Sequence, residues 1–218
     1  MCNSHDPLIV AKTFRDRLGL NEIYIADLDA IQGYGQIRHR EVIENLACEE
    51  KMNLILDAGV SDVDSIHTLF DIGVRKVIVG SETLRLWTSV QEIPSKTDRG
   101  RLVFSLDMRS GKILSQCPAF SDMPPMKALE HLRFAGWQEI LLLDLKRVGS
   151  REGVDRSLVS DVKTHFPDLD LLVGGGISNI EDLVELETMG VAGVLAATAF
   201  HNGTIMARHI CNFGTARL

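Results

Sequence analysis

Short runs of apolar residues recur along the chain, and more polar segments separate them. Most runs are hydrophobic almost continuously rather than in alternation, which is typical of strands covered on both faces in a parallel sheet. They occupy residues 22–30, 52–58, 75–81, 101–109, 139–146, 170–176 and 192–199. The pattern predicts an α/β protein.

The segments between the runs carry helix signals. Asp6 and Pro7 predict an N-cap followed by proline at the first helical position, leading into residues 8–18. Residues 61–72 and 178–189 each begin with a capping serine and end before a glycine. This alternation of strands and helices favours a (β/α)8 barrel.

The second half of the chain repeats the first at a distance of 117 residues. The shift superimposes Pro7 on Pro124, Gly19 on Gly136, Asp27 on Asp144, Gly59 on Gly176 and Val77 on Val194. We interpret this as a duplicated half-barrel. The prediction is a single TIM-barrel domain over residues 1–218, with half-barrels at about 1–100 and 101–218.

One strand of the repeat has no mate. The mate of the run at 101–109 would lie before Met1, so we expect the first of eight strands to be missing from this chain. Three interpretations stay open: the true start lies upstream, another element closes the barrel, or the barrel stays open. Open edges pair readily with another chain. We therefore expect a monomer, or a homo-oligomer that forms through the open edge.

Composition narrows the class of partner. The chain has 218 residues and a formal net charge of −7, which leaves no basic field for nucleic acid. The longest apolar stretch, at 191–200, is shorter than the roughly 20 residues of a membrane span. We expect a cytoplasmic protein whose four scattered cysteines are reduced thiols. Neither the cysteines nor the histidines have metal-ligand spacing, and we predict no metal and no cofactor.

Carboxylates dominate the strand ends, where barrels of this kind place their reactive groups. Asp107 leaves an apolar run as the strand emerges, and partial burial would raise its pKa toward neutrality. We predict that it is a general acid or base. Asp27 and Asp144, mates under the repeat, are the other candidate catalytic residues. Anchoring of their loops is the alternative role.

Glycines and hydroxyls at the strand ends predict phosphate sites. Glycine lets backbone N–H groups approach an anion, and a helix N-terminus adds positive charge. The predicted phosphate and substrate ligands are Gly59, Ser61, Gly80, Ser81, Arg109, Gly175, Gly176 and Thr198. Because they fall in both halves, they suit an elongated phosphosugar with a phosphate at each end.

The chain resembles the (β/α)8 barrels of histidine biosynthesis. The motifs that carry the resemblance are Asp6-Pro7-Leu8 and residues 25–30 (IADLDA), 73–81 (GVRKVIVGS), 105–109 (SLDMR) and 175–177 (GGI). Within that family the chain is more similar to ProFAR isomerase than to the cyclase subunit of imidazole glycerol phosphate synthase.

The resemblance implies an Amadori rearrangement, in which an intramolecular oxidoreductase converts an aminoaldose to an aminoketose. In the family an acid protonates the furanose ring oxygen and a base removes the proton on C2. Two aspartates, at the ends of the first and fifth strands, share these roles. Asp107 matches the fifth-strand aspartate, and its partner would lie before Met1.

Three segments depart from the family pattern. Asp57 stands where the family has a glycine-rich phosphate turn, and its charge would repel a phosphate. Residues 147–150 (RVGS) replace Arg-Asp-Gly-Thr, and 196–198 (AAT) replace a Val-Gly pair. Two alternatives therefore stay open. One is a related barrel acting on another phosphorylated ribosyl intermediate, for example in pterin-type cofactor synthesis, and the other is a non-catalytic ligand-binding or interaction barrel.

Overall fold

The apolar runs form one sheet in a computed structural model, which describes residues 2, 4–33, 36–150 and 153–210. The strands are β1 Glu22–Ala26, β2 Asn53–Asp57, β3 Lys76–Gly80, β4 Leu102–Arg109, β5 Lys112–Ile113, β6 Glu139–Asp144, β7 Asp170–Gly174 and β8 Gly193–Leu195. Their order is β1-β2-β3-β4-β6-β7-β8, with parallel neighbours throughout, and β5 folds back antiparallel on β4. The sheet is a nearly closed α/β barrel, which confirms the predicted fold class.

Helices connect the strands. They are α1 Pro7–Leu18, α2 Leu28–Gln32, α3 Arg40–Glu44, α4 Val63–Asp71, α5 Trp87–Lys96, α6 Pro125–Ala135, α7 Arg156–His165, α8 Ile180–Thr188, α9 Thr198–His201 and α10 Ala207–Ile210. A π-helical turn, Asn45–Glu49, follows α3, and 3-10 turns occupy Arg99–Arg101 and Pro118–Phe120. No helix among the described residues combines the length and apolar character needed to cross a membrane.

The N-cap of α1 confirms the helix start expected from the sequence. The Asp6 carboxylate accepts the Leu8 N–H at 2.9 Å, and Pro7 occupies the first turn. The helix expected at 61–72 instead begins at Val63, because Asp62 accepts the Ser65 N–H and caps it.

Three other predicted boundaries were also wrong. Asn179 caps α8 by accepting the Asp182 N–H, so that helix begins at Ile180. The run at 22–30 leaves the sheet at Ala26, because Asp27 caps α2. The run at 192–199 pairs only over Gly193–Leu195, since Thr198 starts α9.

Strand alternation divides the apolar side chains between two clusters. One face of the sheet packs against the helices and forms the larger core. The other face fills the barrel interior with Ile55, Ile78, Val103, Leu141 and Leu172. The same alternation brings Ser105 and Asp107 of β4 to the interior face, two and four residues after Val103.

A buried ion pair lies at the end of the barrel where the strands begin. Lys76 begins β3 and Glu139 begins β6, and their side chains form a salt bridge with exposures of only 3% and 6%. The pair joins strands from the two halves of the chain.

The strand spacing follows the sequence repeat. The strands β6, β7 and β8 begin 117 residues after β1, β2 and β3. Within the described residues, β1 and β8 are the ends of the sheet order. The division into half-barrels stays a prediction. Cys2, Cys48 and Cys117 are free thiols, and Cys211 lies outside the described residues.

Candidate active site

A cavity of about 600 Å³ is lined by both edge strands of the sheet and by the loops after several strands. Residues of β1 and β8 form its walls, together with apolar side chains of α1 and α9. Such a largely apolar cavity with a few polar groups is the usual form of a small-molecule site.

Five polar side chains of the first four strands and of the loops after them line the cavity, and one of them, Glu22, lies at the start of β1. Asp57 ends β2, Glu82 follows β3, Asp107 lies near the end of β4, and Tyr24 lies in β1. Asp107 is only 3% exposed and Asp57 only 7%. The cavity therefore brings two buried carboxyl groups and the partly exposed Glu82 together near the carboxyl ends of β2, β3 and β4.

A network of hydrogen bonds holds Asp107 in place. The Ser105 hydroxyl donates to Asp107 Oδ1 at 2.7 Å. The Asp107 N–H donates to Ser81 Oγ at 3.0 Å, and that hydroxyl donates to the Leu114 carbonyl at 2.9 Å. Leu114 directly follows β5, so the β4–β5 hairpin and the loop after β3 fix the position of this carboxyl group.

Burial changes the acidity of the polar groups in the cavity. It raises the pKa of Asp107 from 3.8 to about 7, against a lowering by the Ser105 hydrogen bond, and the charges of Asp57 and Glu82 raise it further. Burial likewise raises the pKa of Asp57 to about 6, although the Gly59 N–H opposes the effect. The pKa of Tyr24 is raised by burial and by the nearby carboxylates, which keeps the phenol protonated.

The other two predicted catalytic aspartates make local contacts instead. Asp27 Oδ1 accepts the Ala30 N–H at 3.1 Å, and Asp144 accepts the Lys146 N–H at 3.0 Å. Arg147 also pairs with Asp144 at 3.2 Å. Neither aspartate lines the cavity. Asp27 Oδ2 is buried without a partner among the described residues. A catalytic role for either residue stays a prediction.

The predicted phosphate ligands separate into two groups. Gly175, Gly176 and Thr198 line the cavity, whereas Gly59, Ser61, Gly80, Ser81 and Arg109 do not. Arg109 is exposed at the end of β4, and it lies opposite Lys112 in the antiparallel pairing of β4 with β5. Gly176 has φ 86°, and a Cβ atom there would lie 2.6 Å from the Gly153 carbonyl oxygen. Only glycine fits that position.

Four polar residues on this side of the cavity were absent from the predicted site residues: Glu22, Tyr24, Asp57 and Glu82. Tyr24 shares the interior face with Ile55 and its neighbours, so the alternation of β1 carried a signal for it. Glu82 directly follows Ser81, and its approach to Asp107 depends on how β3 and β4 pair. Sequence reasoning identified the strand ends but not which of their side chains share one cavity.

The fold and this cavity define a barrel of the class whose polar groups act at the carboxyl ends of the strands. The chain matches the model of the family described as histidine biosynthesis protein over residues 2–206. The chain belongs to this family.

Named relatives of the chain include isomerases. It is 31% identical to an uncharacterized protein of Methanocaldococcus jannaschii, over 97% of this chain and 84% of that protein. It is 28% identical to a ProFAR isomerase of Thermus thermophilus and 25% identical to one of Leuconostoc mesenteroides, in each case over 92% of this chain and 84% of the relative. These similarities relate the chain to a family that includes isomerases of histidine biosynthesis.

Proposed function

We propose that the chain is an aldose–ketose isomerase that acts on a phosphoribosyl compound by an Amadori rearrangement. The observation that carries the proposal is Asp107, a buried carboxyl group on the cavity wall whose pKa is raised to about 7. A general acid works best when its pKa lies near the working pH. The named isomerases among the relatives support the same reaction class.

In this mechanism Asp107 gives its proton to the furanose ring oxygen as the bond between that oxygen and C1 breaks. The nitrogen lone pair on C1 forms an iminium ion. A carboxylate then removes the C2 proton, and the electrons of that bond neutralise the iminium to an enolamine. The enolamine tautomerises to the aminoketose. Asp57 and Glu82 are the carboxyl groups that line the cavity beside Asp107 and are suited to receive the proton.

We place the phosphate of the substrate against Gly175, Gly176 and Thr198. These residues follow β7 and β8, where barrels commonly bind phosphate, and all three line the cavity. The conformation of Gly176 brings backbone rather than a side chain to the cavity wall. In this proposal Asp27 and Asp144 hold the loops after β1 and β6.

A second candidate is a related barrel that acts on another phosphorylated ribosyl intermediate, as in pterin-type cofactor synthesis. The bond from the Gly59 N–H to Asp57 favours it, because the acidic group takes a donor that a second phosphate would use. A non-catalytic ligand-binding barrel is the remaining alternative.

Isotope exchange tests the proposal. The purified chain is incubated in heavy water with ProFAR or another phosphoribosylamine. The loss of the C2 proton and the deuterium that enters C1 of the aminoketose are followed by NMR. We expect Asp107→Asn to lower turnover by about 100-fold or more, as for loss of a general acid. Asp170→Asn, an exposed position at the start of β7, is the matched control.

The outcomes separate the candidates. Wild-type turnover by Asp107→Asn would remove Asp107 from the mechanism. Turnover of a different phosphoribosylamine but not of ProFAR selects the second candidate. Binding of phosphoribosyl compounds without exchange or product selects the non-catalytic barrel.

A further inference from the structure

The two sides of the cavity differ in charge. Asp57, Glu82 and Asp107 lie on the side formed by β2, β3 and β4. The residues that line the cavity after β7 and β8 include no acid among those described. No lysine or arginine among the described residues lines the cavity, and His201 is its basic side chain. An anionic group is therefore repelled from the acidic side and favoured at the other.

Two of the first-half groups expected to bind a second phosphate, those of Gly59 and Ser81, are used within the protein. The Gly59 N–H donates to Asp57 Oδ1 at 3.1 Å. The Ser81 hydroxyl donates to the Leu114 carbonyl at 2.9 Å and accepts the Asp107 N–H at 3.0 Å. Ser81 is fully buried, and neither Gly59 nor Ser81 lines the cavity. A phosphate on this side would meet carboxylates in place of donors.

One acidic oxygen on this side has no partner. The Gly59 bond uses Asp57 Oδ1, and Oδ2 receives no hydrogen bond from the described residues. Asp57 is 7% exposed and lines the cavity, and this oxygen is not among the fully buried atoms without a partner. A ligand in the cavity can therefore exchange the water at this acceptor for its own hydrogen-bond donor. Asp57 Oδ2 is therefore a suitable acceptor for a hydrogen-bond donor or a positively charged group of a ligand.

We propose that the ligand carries a single phosphate, and that it presents an N–H donor or a cationic nitrogen to Asp57 and Glu82. Its class is a phosphoribosylamine or phosphoribosylamidine without a second phosphate. The inference rests on the proposed function, because that proposal puts the phosphate after β7 and β8 and leaves the nitrogen on C1 for the acidic side.

Three simple probes test the two ends separately by isothermal titration calorimetry. They are butyl phosphate, 4-aminobutyl phosphate and butane-1,4-diol bisphosphate. In the aminobutyl compound, phosphate oxygen and nitrogen are separated by the same number of bonds as in 5-phosphoribosylamine. We expect 4-aminobutyl phosphate to bind about tenfold more tightly than butyl phosphate, and the bisphosphate to bind more weakly than either.

Variants then assign the preference to the acidic side. The double variant Asp57→Asn/Glu82→Gln is expected to lose the tenfold preference and to keep its affinity for butyl phosphate. The amide oxygen that replaces the carboxylate in Asp57→Asn can still accept the Gly59 N–H. Asp62→Asn, which removes one charge outside the cavity and leaves a good N-cap, is expected to bind like wild type.

The results distinguish this inference from the proposed function. Equal affinity for the amino and butyl compounds, or tighter binding of the bisphosphate, overturns the inference and leaves the phosphate site intact. A preference that persists in the double variant also overturns it. If none of the probes binds, both the inference and the proposed function fail.

Discussion

Replacing Asp107 by asparagine is expected to stabilise the protein at alkaline pH. Burial raises the pKa of the carboxyl group from 3.8 to about 7. Each pKa unit corresponds to about 1.4 kcal/mol, so ionisation in the folded chain costs about 4 kcal/mol more than in the unfolded chain. Asparagine cannot ionise, and its amide oxygen can still accept the Ser105 hydroxyl.

The sign of the pH dependence follows from proton binding. Between the two pKa values the folded protein keeps a proton on Asp107 that the unfolded chain has released. The contribution of Asp107 to the free energy of unfolding is therefore fully present below the unfolded value, falls as the pH rises through this window, and levels off above about pH 7. The stability difference between Asp107→Asn and wild type should grow from near zero at about pH 4 to as much as about 4 kcal/mol at about pH 8.

Urea unfolding at both pH values measures this difference. Asp170→Asn is the control, because Asp170 is exposed and its replacement should give no such pH dependence. The measured stability difference includes the effect of the Asp57 charge on Asp107, because that charge contributes to the raised pKa. Equal stability of Asp107→Asn and wild type at about pH 8, or a less stable variant, would refute the reasoning.

Two further changes probe the ends of the barrel. Lys76→Met is expected to lower the free energy of unfolding by about 3 to 5 kcal/mol, since Glu139 stays buried without that ammonium group, and Lys76→Met/Glu139→Leu should recover most of the loss in urea titrations. A single variant as stable as wild type would contradict this. Gly176→Ala is expected to weaken butyl phosphate binding by about tenfold or more, because the added Cβ would lie 2.6 Å from a backbone oxygen. Gly111→Ala, at φ 76° with open space around it, should bind normally, and equal affinities would count against the proposed phosphate loop.

The strands could be predicted because burial on both faces leaves a local signal in the sequence. Residues 102–106 are apolar except Ser105, and they form the first part of the strand Leu102–Arg109. Asp107 could be chosen for the same reason, since it interrupts an apolar run at the exit of its strand. Its hydrogen bond to Ser105 is also local in sequence.

The roles of other aspartates depended on contacts that the strand pattern does not contain. Asp27 and Asp144 are equivalent under the repeat, yet their oxygens accept N–H groups two or three residues away and neither residue lines the cavity. Asp57 and Glu82 reach Asp107 only through the pairing of β2, β3 and β4. The sequence therefore shows where strands end. Which side chains at those ends line one cavity depends on how the strands pair in the sheet.

Under the proposed function, Asp107 and Asp57 supply the cavity with a proton donor and a proton acceptor at the same pH. The pKa of Asp57 is raised to about 6 and that of Asp107 to about 7, and the charge of Asp57 disfavours ionisation of Asp107. Between these pH values Asp107 keeps its proton more readily than Asp57 does. An Amadori rearrangement protonates the ring oxygen and removes a proton from carbon, so it needs both forms together. Under the proposed function, the desolvation that lowers the stability of the ionised protein also prepares these two groups for the reaction.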